Sequence, residues 1–329
     1  MIWAKKKVLI TGAGGFVGSH LAEELVKRGA KVKAFVRYNS RNDFGLIEIL
    51  PPEVKNKIEI IAGDLRDFDA VYDSMQGAEI VFHLGALIAI PYSYLHPKEV
   101  IETNVMGTYN ILNAAKRLGI KKLIHTSTSE VYGTALTVPI RETHPLQGQS
   151  PYSASKIGAD KLAESFYKSF GLPIAIIRPF NTFGPRQSGR AIIPTIITQA
   201  LRGGIIKLGS LTPRRDFTFV RDTVDGFIKV AESNRSIGEV INIGSGSDIS
   251  IGELAQEIFS LIGKKIRISR ETARCRPAGS EVERLLADNT KARELLGWEP
   301  RVPLIDGLKI TIDWVKNNIK KYKAGLYIV

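Results

Sequence analysis

One cysteine in 329 residues, Cys275, rules out an internal disulfide and with it the small stapled scaffolds of secreted domains; a reducing, cytoplasmic setting is expected. No apolar run reaches the roughly eighteen residues that a membrane helix needs. The longest, residues 80–91, has His83 in its middle, so no membrane span is expected. Residues 1–7 are basic, but the apolar stretch after them breaks at Gly12 and no small-residue cleavage site follows, which argues against a secretion signal. Lys and Arg outnumber Asp and Glu by 46 to 33, yet they are scattered as short pairs and triplets, with no run of five or six and no aromatic-interleaved basic block. Nucleic acid is therefore not an expected partner, and the net charge of +13 suits a phosphorylated substrate instead. The five histidines, His20, His83, His96, His125 and His144, lack metal-ligand spacing, so no metal site is expected. Solenoid repeats and low-complexity tracts are missing as well.

What is present is a globular composition, 44% apolar and 24% charged, which excludes wholesale disorder, collagen and coiled coil. The length allows one large domain or two smaller ones. Residues 7–11 form a short apolar run, glycines follow, and a helical pattern from Phe16 to Arg28 ends at Gly29. Further strands are predicted at 31–37, 58–62, 79–84, 121–127 and 173–178, separated by helix-length segments. That alternation implies an α/β fold with a doubly wound parallel sheet covered on both faces. After Pro179 the rhythm loosens, with Gly and Pro clusters at 184–189 and 203–213. A first domain is expected over 1–180 and a smaller, discontinuous α/β domain over 181–329, with 217–244 returning to the first.

Residues 11–18 read Thr-Gly-Ala-Gly-Gly-Phe-Val-Gly, directly after the first strand and opening the first helix. In that context Gly12 permits the tight turn, Gly15 lets backbone approach a pyrophosphate, and Gly18 lets helix and strand pack closely. The helix N-terminus, with Phe16 and Val17, adds partial positive charge. A Rossmann dinucleotide site follows from this placement. An acidic residue at the end of the second strand would bind a ribose 2′-hydroxyl, whereas arginine accommodates a 2′-phosphate. Here the strand ends Phe35-Val36-Arg37-Tyr38-Asn39 without a carboxylate; Arg37, helped by Arg41, favours NADP, and NAD still fits. Asp64 and Leu65, after the third strand, are placed to meet the adenine, although Asp64 equally suits a helix N-cap.

Tyr152 and Lys156 lie four apart on the first turns of a predicted helix and so share one face. A phenol titrates near pH 10, and lowering it to about 7 takes roughly 4 kcal/mol from a nearby ammonium. The bare spacing also describes any solvated helix; the neighbouring residues give it weight. The fifth strand ends Thr126-Ser127-Thr128-Ser129-Glu130-Val131-Tyr132-Gly133, at the carboxyl edge where doubly wound sheets bind ligands. Thr128 can hydrogen-bond a reacting hydroxyl and Glu130 can act as acid or base.

With glycines 12, 15 and 18, the Tyr152–Lys156 pair and the Ser-Thr-Ser-Glu-Val-Tyr-Gly run, almost the whole chain resembles the extended short-chain dehydrogenase/reductase superfamily. Longer runs are more specific: Ile-Ala-Ile-Pro-Tyr-Ser-Tyr at 88–94, Pro-Leu-Gln-Gly-Gln-Ser-Pro-Tyr at 145–152 and Arg215-Asp216-Phe217. They resemble the nucleotide-sugar 4,6-dehydratases that act on UDP-N-acetylglucosamine in legionaminic acid and related pathways. The resemblance implies an internal redox cycle: Tyr152 takes the sugar 4-hydroxyl proton as hydride leaves C4 for the nicotinamide. Glu130 then removes the C5 proton, the 6-hydroxyl departs as water, and hydride returns to C6. It further implies cofactor contacts from Leu84, Ala86, Asn104 and Ser127, with Lys156 also on the nicotinamide ribose, and substrate contacts from Ser93, Thr128, Asn181, Arg190, Leu208, Arg215 and Arg276. Many relatives have Thr-Asp-Glu where this chain has Thr128-Ser129-Glu130; GDP-mannose dehydratases carry Thr-Ser-Glu, so Glu130 is expected to serve both proton steps. Relatives also usually show two alanines where this chain has Gly85-Ala86. A homodimer through helices near 97–118 and 151–170 is implied too.

The alternatives are a GDP-sugar 4,6-dehydratase, a UDP-glucuronate decarboxylase and a sugar-nucleotide epimerase. Glu130 counts against a simple 4-epimerase, and segments 88–94 and 145–152 count against the decarboxylase. A non-catalytic NADP-sensing protein would typically lack the Tyr152–Lys156 pair.

Overall fold

The computed structural model describes residues 2–322. Short apolar segments supply β1 (Lys7–Thr11), β2 (Lys31–Arg37), β3 (Ile58–Gly63), β4 (Ile80–His83), β5 (Lys122–Thr126) and β6 (Ile174–Pro179). Between them run α1 (Phe16–Lys27), α2 (Pro52–Lys55), α3 (Phe68–Met75), α4 (Ile90–Leu95), α5 (Pro97–Ile101), α6 (Gly107–Leu118) and α7 (Pro151–Phe170). Beyond β6 come β7 (Asn181–Phe183), α8 (Ile192–Arg202), β8 (Ile205–Leu208), β9 (Arg214–Phe219), α9 (Val220–Glu232) and β10 (Val240–Ile243). The chain continues through β11 (Asp248–Ser250), α10 (Ile251–Ile262), β12 (Arg267–Arg270), β13 (Arg284–Leu285), α11 (Thr290–Leu296) and α12 (Leu304–Asn317).

Seven strands form one parallel sheet in the order β10-β6-β5-β4-β1-β2-β3. Period-two alternation distributes its side chains to two cores. Val8 and Ile10 of β1 join α1 and α9 in one, whereas Leu9 joins α3, α6 and α7 in the other. The fold is the doubly wound, Rossmann-like sheet expected from the strand-helix rhythm. Strand order reverses between β1 and β4, and this switch point opens a crevice at their carboxyl ends. The later chain builds a smaller body: β9 pairs with β7, β11 and β13, and β8 pairs with β12. Its helices α8, α10 and α12 share the α1–α9 core through Ile193, Leu254 and Ile312.

The helix expected over 97–118 is interrupted. Residues 102–106 form a π turn, Glu102–Met106, between α5 and α6. The wide turn brings Asn104 inward, where its amide donates to the Leu87 carbonyl (2.9 Å) and accepts from the Leu87 N–H (2.8 Å). Among the described residues no helix is long and apolar enough to cross a membrane.

Candidate active site

The crevice begins where β1 stops. Gly12 turns with φ of +68°, and a Cβ there would lie 2.8 Å from the Gly85 nitrogen on the loop after β4. A Cβ on Gly18 would lie 2.3 Å from the Gly12 carbonyl oxygen, so α1 meets the turn only through glycine. Thr11 joins the two loops: its Oγ1 lies 2.8 Å from Nδ1 of His83 and accepts from the Gly85 N–H at 3.0 Å. Gly15 is the N-cap of α1 and supplies no side-chain cap, and no acidic residue stands in the first turn. The N–H groups of Phe16 and Val17 therefore face the crevice end as donors for an anion. A cradle that tolerates no Cβ beside an uncapped helix N-terminus fits the pyrophosphate of a nicotinamide dinucleotide.

At the end of β2, Arg37 is largely exposed and its guanidinium donates to Glu99 at 3.4 Å. Tyr92 hydrogen-bonds the same carboxylate. Asn39 folds its own loop, its amide donating to the Asp43 carbonyl at 2.6 Å. Asp64 is clasped by Arg66 at 2.6 and 3.0 Å, and that hydrogen bond holds its carboxyl below the usual range despite partial burial. Leu65 is buried against Gly85, and its carbonyl accepts from Asn110 at 2.9 Å. Leu84 and Ala86 line the loop after β4 beside it, with the Leu84 N–H donating to Thr11 O at 3.2 Å.

The start of α7 is fixed by a reciprocal cap. Ser150 accepts from the Ser153 N–H at 3.1 Å, Ser153 Oγ accepts from the Ser150 N–H at 2.9 Å, and Pro151 opens the helix. Tyr152 and Lys156 follow on one face, 7% and 3% exposed. Lys156 Nζ donates to the Thr126 carbonyl at 2.6 Å, which pins α7 to the end of β5. Burial lowers the Lys156 ammonium to about 8, partly opposed by the charge of Asp160. Burial pushes the Tyr152 phenol up, an effect opposed by a hydrogen bond with Thr128 and reinforced by Glu130 and Asp160. Thr128 caps the 3-10 turn Ser129–Tyr132, accepting from the Glu130 N–H at 3.2 Å. Ser129 and Glu130 are both buried. The site therefore gathers a phenol, an ammonium, a hydroxyl and a carboxylate around the end of β5.

The smaller body closes the other side. Arg276 donates to Glu130 at 3.2 Å, and Arg215, 5% exposed, donates to Glu281 at 3.3 Å. Glu281 also lies 4.0 Å from Arg276, so one carboxylate stands between two guanidinium groups. Asn181 on β7 keeps a buried Oδ1 without a hydrogen-bond partner, and Leu208 is buried on β8. Arg190 is exposed in the loop before α8, apart from the Arg215–Arg276 cluster in its contacts. Ser93 is wholly buried and returns its hydroxyl to the Ile90 carbonyl at 2.7 Å. Ser127 turns its hydroxyl to Asp160 at 2.7 Å, and Asn104 also donates to Ser155 at 3.0 Å.

Two residues escaped the sequence reading. Glu281 carries no signal, since its partners are Arg215 and Arg276 from other elements. Asp160 did carry one: it follows Lys156 by four residues, as Lys156 follows Tyr152, and so shares their helix face.

A family profile described as GDP-mannose 4,6 dehydratase matches residues 9–311. The chain is 36% identical over 324 residues to a UDP-N-acetyl-alpha-D-glucosaminuronate decarboxylase of Bacillus cytotoxicus, covering 95% of this chain and 98% of that protein. The epimerase Mth375 of Methanothermobacter thermautotrophicus superposes with a TM-score of 0.89 at 28% identity, covering 98% of this chain and 95% of that one. DesIV, a dTDP-glucose 4,6-dehydratase of Streptomyces venezuelae solved with NAD bound, gives 0.86 at 28% identity over 96% of this chain and 99% of its own.

Proposed function

Because the chain belongs to the GDP-mannose 4,6-dehydratase family of extended short-chain dehydrogenase/reductases, enzymes that transform nucleotide sugars, we propose that it is a 4,6-dehydratase converting UDP-N-acetylglucosamine to its 4-keto-6-deoxy derivative. The observation that carries this reading is Glu130: a buried carboxylate in the turn after β5, near enough to Tyr152 for its charge to act on the phenol and paired with Arg276 rather than with Tyr152. Epimerisation needs one acid-base group for the 4-hydroxyl. Dehydration needs a second, for the proton on C5 and the hydroxyl on C6.

A bound nicotinamide supplies a hydride acceptor that is also the later donor, so no net oxidant is consumed. Tyr152 accepts the proton of the sugar 4-hydroxyl, and the Lys156 ammonium stabilises the resulting phenolate. Thr128 orients that hydroxyl. Oxidation at C4 acidifies C5; Glu130 takes the C5 proton and gives it to the 6-hydroxyl, which leaves as water, with Ser129 beside it as a neutral hydrogen-bonding group. The hydride removed from C4 adds to C6, and Glu130 reprotonates C5 with a proton drawn from solvent while Tyr152 releases an equal one, so the sugar loses only water. Arg215, Arg276 and Asn181 hold the nucleoside diphosphate, Arg190, Leu208 and Ser93 shaping its surroundings. Gly12, Gly15, Phe16, Val17, Gly18, Asp64, Leu65, Leu84, Ala86, Asn104 and Ser127 surround the dinucleotide.

Arg37, with Asn39 nearby, favours NADP over NAD because an exposed guanidinium at the β2 end can meet a 2′-phosphate. In this reading residues 1–180 and 217–244 bind the dinucleotide and 181–329 mainly the nucleotide sugar; residues 323–329 lie outside those described. Ile101, Met106, Tyr109 and Phe170 are exposed on the α5–α6 and α7 faces, which supports a homodimer there. Residence in the cytoplasm, where nucleotide sugars are made, accords with the single thiol.

Incubation of the purified protein with UDP-N-acetylglucosamine and catalytic NADP, followed by mass spectrometry, tests the reading. Loss of one water without net NADPH is expected. The similarity to the Bacillus cytotoxicus decarboxylase favours a second reading, and loss of carbon dioxide from the corresponding uronate would replace the first with it.

A further inference from the structure

Behind the Tyr152–Lys156 pair lies a buried polar cluster that the reaction itself does not use. Asp160, 2% exposed, stands one turn beyond Lys156 on α7. Its carboxylate accepts from Ser127 Oγ (2.7 Å) and the Arg178 guanidinium (2.9 Å), and lies 3.2 Å from Nε2 of His125. Arg178 also donates to the Tyr132 hydroxyl at 3.0 Å, which in turn donates to Asn242 of β10 at 2.7 Å. Three strands of the central sheet, β5, β6 and β10, are thereby tied through one carboxylate to the helix that carries Tyr152 and Lys156.

Resting on the proposed roles of that pair, we infer that Asp160 is its positioning residue: it locks the turn after Lys156 to the ends of β5 and β6 and supplies the counter-charge that keeps an ammonium beside Tyr152. The need is physical. Among the described residues Lys156 has a single hydrogen-bond acceptor of its own, the neutral Thr126 carbonyl, and a buried ammonium without an anion tends to shed its proton. The titratable and charged groups facing Asp160 are His125 from β5, Arg178 from β6, and Lys156 and Tyr152 from α7, with Tyr132 and Glu142 beyond Arg178. Burial opposes the charge on Asp160, but the His125 hydrogen bond and the Arg178, His125 and Lys156 charges outweigh it and hold the carboxyl down to about 2. Asp160 is therefore an anion throughout the neutral range. It approaches neither proton-transfer partner through a hydrogen bond, so it acts through Lys156 rather than on a substrate.

The test is a pH titration of the full-length protein carrying 13Cε-labelled lysine, with and without NADP, the Lys156 signal being assigned from a Lys156→Met variant. Lys122 is the internal control: it is also lowered to about 8 by burial, but its ammonium is held by the Val230 and Ser233 carbonyls, and Asp160 is not among its influences. In Asp160→Asn the Lys156 midpoint is expected to fall by about one pH unit, as for loss of an opposite charge close by, while Lys122 stays in place. Midpoints that both move, or both stay, overturn the inference. Asp160→Asn leaves Arg178 buried without its carboxylate and can fail to fold, so Ser127→Ala is measured alongside it. That variant keeps the charge but removes a donor, and the Lys156 midpoint should rise by roughly a few tenths of a pH unit; an unmoved midpoint there also overturns the inference. Failure of the wild type to dehydrate UDP-N-acetylglucosamine would sink the substrate assignment alone, since the lysine titration needs no sugar.

Discussion

On the sheet side of the site, Lys156, Ser127 and Asp160 are held by short hydrogen bonds of 2.6–2.9 Å to neighbours on β5, β6 and α7 or just beyond β5. On the opposite side, Arg215, Arg276, Glu130 and Glu281 face one another as ion pairs of 3.2–4.0 Å on segments from the smaller body and the turn after β5. Breaking the first kind strands a polar group in the interior and costs the full desolvation of that group. Exchanging the second kind is cheap, because an incoming phosphate offers the same guanidinium groups equivalent or better acceptors. In the proposed reading, the first wall is preorganised for chemistry on the sugar, while Arg215 and Arg276 on the other exchange their internal carboxylates for a diphosphate, which frees Glu130 for its proton transfers.

Substitutions on the two walls should separate accordingly. Tyr152→Phe should lower turnover by about 10²- to 10⁴-fold and leave UDP affinity, measured by calorimetry, unchanged. A comparable loss of affinity would put Tyr152 on the binding wall and break the contrast. Glu130→Gln should cost about 10²-fold in product formation and abolish incorporation of solvent deuterium at C5, seen by mass spectrometry in D2O. Arg276→Gln should act through KM, raising it about tenfold or more, as expected for a lost charge-assisted hydrogen bond of about 1.5–3 kcal/mol. If kcat falls and KM holds, Arg276 belongs with the chemistry through Glu130.

Smaller effects sharpen the picture on the sheet side. The charged form of Lys156 is lost as pH rises through its value of about 8, so kcat/KM should descend above that pH, approaching about tenfold per unit. A flat profile to pH 9.5 would show that Lys156 stays charged. Ser150→Ala removes the α7 cap and should cost about 1 kcal/mol of stability, a fall of roughly 2–4 °C in Tm by differential scanning calorimetry.

Much of the sheet side could be read from the residues. Glycines 12 and 18 and the four-residue step from Tyr152 to Lys156 express short-range geometry, because a turn or one helical turn sets where such residues face. The return of β10 to the main sheet accords with the helix and strand read between 217 and 244, and the strand limits fell within a residue or two of expectation. The π turn at Glu102–Met106 was not legible, since nothing local distinguishes it from α-helix; the pull comes from the Leu87 backbone, 17 residues away in sequence. The partners of Asp160 were hidden for the same reason: they lie 18 to 35 residues away on two other strands. The Arg215–Arg276 wall was legible only residue by residue, as two arginines with no visible opposing charge.

The sequence by itself determined the strands and helices of the first 180 residues apart from the π turn, the glycine turn after β1 and the shared face of Tyr152 and Lys156, because these depend on dihedral preferences and periodicity over a few residues. Only the tertiary structure decided that Glu130 meets Arg276, that Glu281 stands between two guanidinium groups and that Asp160 of α7 meets His125 of β5 and Arg178 of β6. Such pairings are selected by the packing of the whole chain, which alone determines which buried charges end up within reach of one another.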